Sequence, residues 1–170
     1  MQKKISFFFI VALMTSAFWG FTGIGAEEMD KSIQGESYHN EKGLSHFKNG
    51  FYNFTPKHQK EKASKEYELA IQEFNKALVI NPNYAEAHLN LARVYYVQKK
   101  FLKAAEHYKK LTNLDPYDID GYLYTASAYE KAQKYDEAIA ELEIAKEKTT
   151  DPQIIEKLDS YIEKIEQRKQ

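Results

Sequence analysis

The sequence predicts an all-α protein: three helix–turn–helix repeats stacked as a solenoid and closed by a C-terminal capping helix. Two observations carry this. Tyr67, Ala70 and Phe74 recur 34 residues later as Phe101, Ala104 and Tyr108, and again as Tyr135, Ala138 and Leu142. A fixed period of about 20–50 residues marks units that bury their faces only against one another. Within each period apolar residues also recur at helical spacing, and Asn81-Pro82 and Asp115-Pro116 close the first two units. A proline stops such a helix because it pushes the preceding residue out of helical geometry.

Taken in order, the chain opens with a short basic stretch holding Lys3 and Lys4, then a nearly unbroken apolar run over residues 5–21 and small residues up to Ala26. That layout predicts a secretory signal peptide, residues 1–26, removed after Ala26. The alternative is an uncleaved anchor over residues 5–26, because about 20 apolar residues span a bilayer. Either reading places the rest outside the cytoplasm, periplasmic or secreted, and the absence of Cys leaves no residue for lipoprotein acylation. Residues 27–43 are polar without apolar period and predict a flexible segment.

Residues 44–84 read as a first, divergent repeat. Leu44, Phe47, Phe51 and Phe54 return at helical spacing, with Gly50 where a close helix contact fits. Phe47 to Tyr67 is 20 residues, against 13 from His88 to Phe101, so seven are extra. They are assigned to residues 55–64, as a loop or an extended helix end.

The second repeat, residues 85–118, sets the register. His88, Leu91, Ala92 and Tyr95 share one helical face, and Phe101, Ala104, Ala105, Tyr108 and Leu111 another. The alanines let two helix axes approach while the aromatic rings fill the space around them. A third repeat, residues 119–152, keeps Tyr122, Ala126, Tyr129, Tyr135 and Ala138, with Thr125 in place of Leu. Residues 153–170 carry Ile154, Ile155, Leu158, Tyr161, Ile162 and Ile165 among charges, the amphipathic pattern of a helix that seals an open solenoid end.

His88, Leu91, Ala92 and Tyr95 stand at the Trp, Leu, Gly and Tyr places of the tetratricopeptide pattern, and Ala104, Tyr108 and Pro116 at its Ala, Phe and Pro. The chain resembles the tetratricopeptide repeat family over residues 67–152. The resemblance implies a right-handed solenoid whose first helices line a concave groove that binds peptides or helices. It implies no chemistry of its own.

Function classes fall away on composition. Without residues 1–26 the chain holds 22 basic and 25 acidic residues, net −3, which is no nucleic-acid footprint. With no Cys, and with five His at no ligand spacing, a metal site and a thiol nucleophile are not expected. Asp115, Asp118 and Asp120 resemble a calcium loop, but Pro116 and Ser127 stand where acids are needed, so they read as helix-start residues. No phosphate loop, nucleophile elbow or catalytic carboxylate pair is present, so no enzyme and no cofactor are expected.

The groove remains. Its inward residues not used for stacking are read as Leu89, Asn90, Arg93, Tyr96 and Val97 from the second repeat. The third repeat adds Leu123, Tyr124, Ser127, Glu130 and Lys131. Leu, Val and Tyr offer apolar area, and Asn90 and Arg93 groups to hold a backbone amide or a carboxylate. One subgroup of the family clamps the terminal carboxylate of chaperone tails, but Asp120 and Tyr124 stand where that clamp needs Lys and Arg. The expected function is a non-enzymatic, exported scaffold that binds a protein or peptide and no nucleic acid. The alternative is a membrane-anchored assembly or structural subunit of an envelope complex, which touches the membrane only if residues 5–26 are retained.

Overall fold

The computed structural model describes residues 35–169. They form α1 (Glu36–Lys48), α2 (Lys60–Ile80), α3 (Ala85–Val97), α4 (Phe101–Leu114), α5 (Ile119–Lys131), α6 (Tyr135–Glu147) and α7 (Pro152–Lys169), with no strand among the described residues. The all-α class is as expected. The segment expected to be a signal peptide or anchor lies outside the described residues. No helix among the described residues is long and apolar enough to cross a membrane.

Each helix packs on the next, and small residues decide how closely. Ala92, Ala104, Ala105, Ala126, Ala128, Ala138 and Ala145 are wholly buried, with Leu91, Leu142 and Tyr108 filling the gaps between them. Gly121 extends the same device, because a Cβ there would meet Thr112 at 2.9 Å. Thr125 takes the place of a leucine without leaving a buried hydroxyl unpaired, since it donates to the Gly121 carbonyl at 2.8 Å. Helix starts and stops are equally local. Asp118 accepts the Asp120 N–H at 3.1 Å and caps α5. Lys99 and Gln133, at φ 59 each, end α3 and α5 in the left-handed conformation that turns the chain back on itself.

The beginning of the fold departs from expectation. Helix α1 starts at Glu36, so the expected flexible segment is helical over residues 36–43, and the first helix begins eight residues before Leu44. Polar pairs hold this part in place, and a search for apolar period passes over them. His39 Nδ1 meets Glu73 Oε2 at 2.7 Å and His46 Nδ1 meets Glu66 Oε2 at 2.8 Å, both across to α2. Burial pushes the Glu73 carboxyl up, but hydrogen bonds from Lys76, His39 and Lys42 overcome it and hold the group at about 2. The seven extra residues are also resolved. After α1 a wider π-helical stretch, Asn49–Phe54, leads to a turn at His58 (φ 55). Helix α2 then starts at Lys60, seven residues before Tyr67, whose counterparts Phe101 and Tyr135 begin α4 and α6. The extra length is an extended helix end.

A histidine pair joins α3 to α4. His88 Nε2 lies 3.0 Å from the Pro82 carbonyl and its Nδ1 3.1 Å from His107 Nδ1. A carbonyl only accepts, so His88 donates through Nε2 and takes the His107 Nδ1–H on its own Nδ1. Tyr95 stacks on the His107 ring at 5.6 Å. Burial, then His88 and Lys110, lower His107 from 6.5 to about 4. A histidine kept neutral in the fold contributes stability that is complete above its unfolded value and lost as pH falls through the folded one. The thermal midpoint should therefore drop between pH 6.5 and 4, and His107→Gln should flatten that slope. An identical slope in the variant would show that His107 does not titrate this way.

Candidate functional site

The odd-numbered helices form one face of the molecule, joined by side chains. Asn90 of α3 donates to Asn40 of α1 at 3.0 Å. Tyr96 of α3 meets Ser127 of α5 at 3.3 Å, and Tyr161 of α7 donates to Glu130 of α5 at 2.7 Å. The ten expected groove residues all lie on α3 and α5 of this face, but the structure sorts them. Arg93, Tyr124 and Lys131 are exposed, while Leu89, Tyr96, Val97, Leu123 and Ser127 are half-buried.

Two of the ten are not free to bind. Asn90 is 5% exposed and its amide is taken by Asn40, so it ties α1 to α3 instead of holding a ligand. Glu130 is buried, accepting from Tyr161 and ion-paired with Arg168, both from α7. A carboxylate so enclosed is stabilised by its partners, and a ligand would have to displace them. Val97 belongs to the edge of the face, where it lines a cavity beside the α1–α2 turn.

What remains is a cationic centre in aromatic surroundings. Arg93 has no carboxylate partner among the described residues. Tyr124 lies over Tyr108 with ring centroids 5.3 Å apart, and Tyr96 meets Phe101 edge-on at 5.3 Å. Burial raises the Tyr108 hydroxyl to about 12, Arg93 opposes the shift and Tyr96 and Tyr124 add to it. Arg93 and Tyr96 stand one turn apart on α3, and Tyr124 lies over Tyr108. The arrangement suits a carboxylate or carbonyl held by the guanidinium and an apolar group set against the rings. No cluster of three or more potential metal ligands occurs among the described residues.

The sequence matches the "TPR repeat" family over residues 60–99 and the "Tetratricopeptide repeat" family over residues 85–118. Residues 60–118 carry tetratricopeptide repeats. The fold is similar to an Arabidopsis OM64 TPR domain, with a TM-score of 0.53 and 19% identity over 76% of this chain and 94% of that one. It is also similar to the first TPR of Spaghetti (RPAP3) bound to the HSP90 peptide SRMEEVD, with a TM-score of 0.51 and 22% identity over 76% and 94%. No curated protein matches the sequence. At these identities the likeness concerns the fold alone.

The repeat pattern has a place for Tyr161, which the groove reading misses. Arg93, Ser127 and Tyr161 are successive members of the 34-residue period, so α7 stands where the first helix of a further repeat would stand. Continuing the period would have found this residue. Tyr108 reads as core, which its 6% exposure supports, yet it forms the floor beneath Tyr124.

Proposed function

We propose that this repeat protein is a non-enzymatic scaffold that binds a protein or peptide on the α3–α5 face, outside the cytoplasm. The observation that carries the reading is Arg93, exposed and without a carboxylate partner, beside Tyr96 and Tyr124. An unpaired guanidinium on an aromatic face is the group around which a partner's carboxylate or carbonyl binds. The basic start and apolar run of residues 1–26 support export. The Spaghetti domain holds an HSP90 peptide. Here Asp120 and Tyr124 replace the basic residues such a clamp uses, and Asn90 is taken by Asn40. The partner is therefore of another kind.

Arg93→Ala should weaken binding of the partner retrieved by pull-down about ten- to hundredfold, through loss of a charge-assisted hydrogen bond worth about 1.5–3 kcal/mol. Tyr124→Ala should weaken it comparably, and the melting temperature of Arg93→Ala should stay near wild type. Tyr96 is half-buried and bonded to Ser127, so its removal costs stability as well and separates the two effects poorly. Wild-type affinity in both Arg93→Ala and Tyr124→Ala would move the binding site elsewhere. Export has its own readout, the intact mass of the protein outside the cytoplasm. A chain starting at Glu27 is expected, and a membrane-bound chain retaining residues 1–26 would favour the anchored subunit.

A further inference from the structure

A cavity of about 680 Å³ opens between the turn that precedes α2 and the turn that joins α3 to α4. The seven-residue extension of α2 builds one wall of it. Thr55 fixes that wall, donating to the Gly50 carbonyl at 3.0 Å and accepting from the Tyr67 hydroxyl at 2.9 Å.

The lining has two characters. Ala63, Tyr67 and Val97 supply apolar surface, while Lys60, Lys99 and Lys100 supply positive charge, and no Asp or Glu is among the lining residues. None of the three lysines is ion-paired with a described residue. Their placement also opposes local electrostatics. Lys100 immediately precedes α4 and Lys60 opens α2, where the helix dipole favours negative charge. At the corresponding start of α6, Lys134 is offset by Glu137 at 3.5 Å, whereas α4 has no acid in its first turn. At the start of α2, Lys60 is followed by Glu61, so Lys100 is the uncompensated one of the two, and a position that breaks a local rule without visible compensation is where function is expected.

We propose that this cavity binds an acidic peptide segment carrying one apolar side chain, in addition to whatever occupies the α3–α5 face. Carboxylates spaced along a peptide meet the lysines spread around the rim, and the apolar side chain enters against Ala63 and Val97. A compact inorganic anion satisfies the charge but leaves the apolar floor uncovered. The rim also offers lysine point charges and no arginine fork for planar, bidentate recognition of a phosphate.

The test is fluorescence anisotropy on the full chain with three labelled octapeptides. One is composed of Asp and Glu around a central Leu, one has Ser in place of that Leu, and one has Lys in place of every acid. Saturable binding of the first is expected, with weaker binding of the Ser peptide and none of the Lys peptide. Lys60→Glu combined with Lys100→Glu should weaken the first peptide roughly tenfold or more. The same variant should melt no lower than wild type, because an acid at a helix start is favoured. The double lysine variant should still bind the pulled-down partner of the α3–α5 face as wild type does, which keeps the two sites distinct. Undiminished binding by the double lysine variant would overturn the proposal. So would equal affinity for the Ser peptide, or displacement by inorganic phosphate beyond that of sodium chloride at matched ionic strength.

Discussion

Deleting residues 152–170 should unfold the last repeat and drive aggregation, with a large fall in melting temperature. In a stacked-repeat protein, stability is roughly a sum of unit and neighbour terms, so the loss of one interface is felt directly. Leu158, Ile162 and Ile165 are 1%, 8% and 0% exposed, and they pack on Tyr122, Ala126, Leu142 and Ala145. At about 1.5–3 kcal/mol per buried side chain, the three together are worth roughly 5–9 kcal/mol, comparable with the whole stability of an ordinary domain, about 5–15 kcal/mol. Truncation also uncovers Glu130 by removing Tyr161 and Arg168. Thermal unfolding of the truncated chain checks this. An unchanged midpoint would mean that α7 is a free arm.

Phe74→Ala should cost about 3–5 kcal/mol. The ring is wholly buried in a cluster with Ala70, Leu91 and Val94, so it joins α2 to α3. It also fills the space left by Gly43 on α1, where a Cβ would lie 2.7 Å from the ring. With a glycine opposite, no side chain is available to collapse into the cavity, and the cost should sit toward the upper end of that range. The converse change, Gly43→Ala, presses on the ring and should cost about 1–3 kcal/mol. Because the two residues share one space, combining Gly43→Ala with Phe74→Leu should cost less than the sum of the two changes. Denaturant midpoints of the single and double variants decide it. Strict additivity, or a Phe74→Ala cost below about 1 kcal/mol, would show that α1 is not held on this ring.

The places where sequence reasoning went astray share a cause. Apolar periodicity finds helices whose contacts are hydrophobic, as at Leu91, Ala92, Ala104 and Tyr108. It passes over residues 36–43, where the attachment of α1 runs through His39, Asn40 and Gly43. Register alone points to the groove residues, and it says that a side chain lies on a face but nothing of what meets it there. Asn90 and Glu130 share that face with Arg93, yet Asn90 is taken by a residue 50 positions earlier and Glu130 by one 31 positions later.

By itself the sequence determined the all-α class, the 34-residue period and the alanines at the helix crossings. These follow from spacing and side-chain size, properties a linear pattern carries because each helix packs on its neighbour in order. Only the tertiary structure decided which polar residues are already paired and where the seven extra residues go. Only it brought Lys60, Lys99 and Lys100 around one apolar cavity. A polar side chain's role depends on the partner that reaches it, and that partner comes from another helix, 50 residues away for Asn90 and 31 for Glu130.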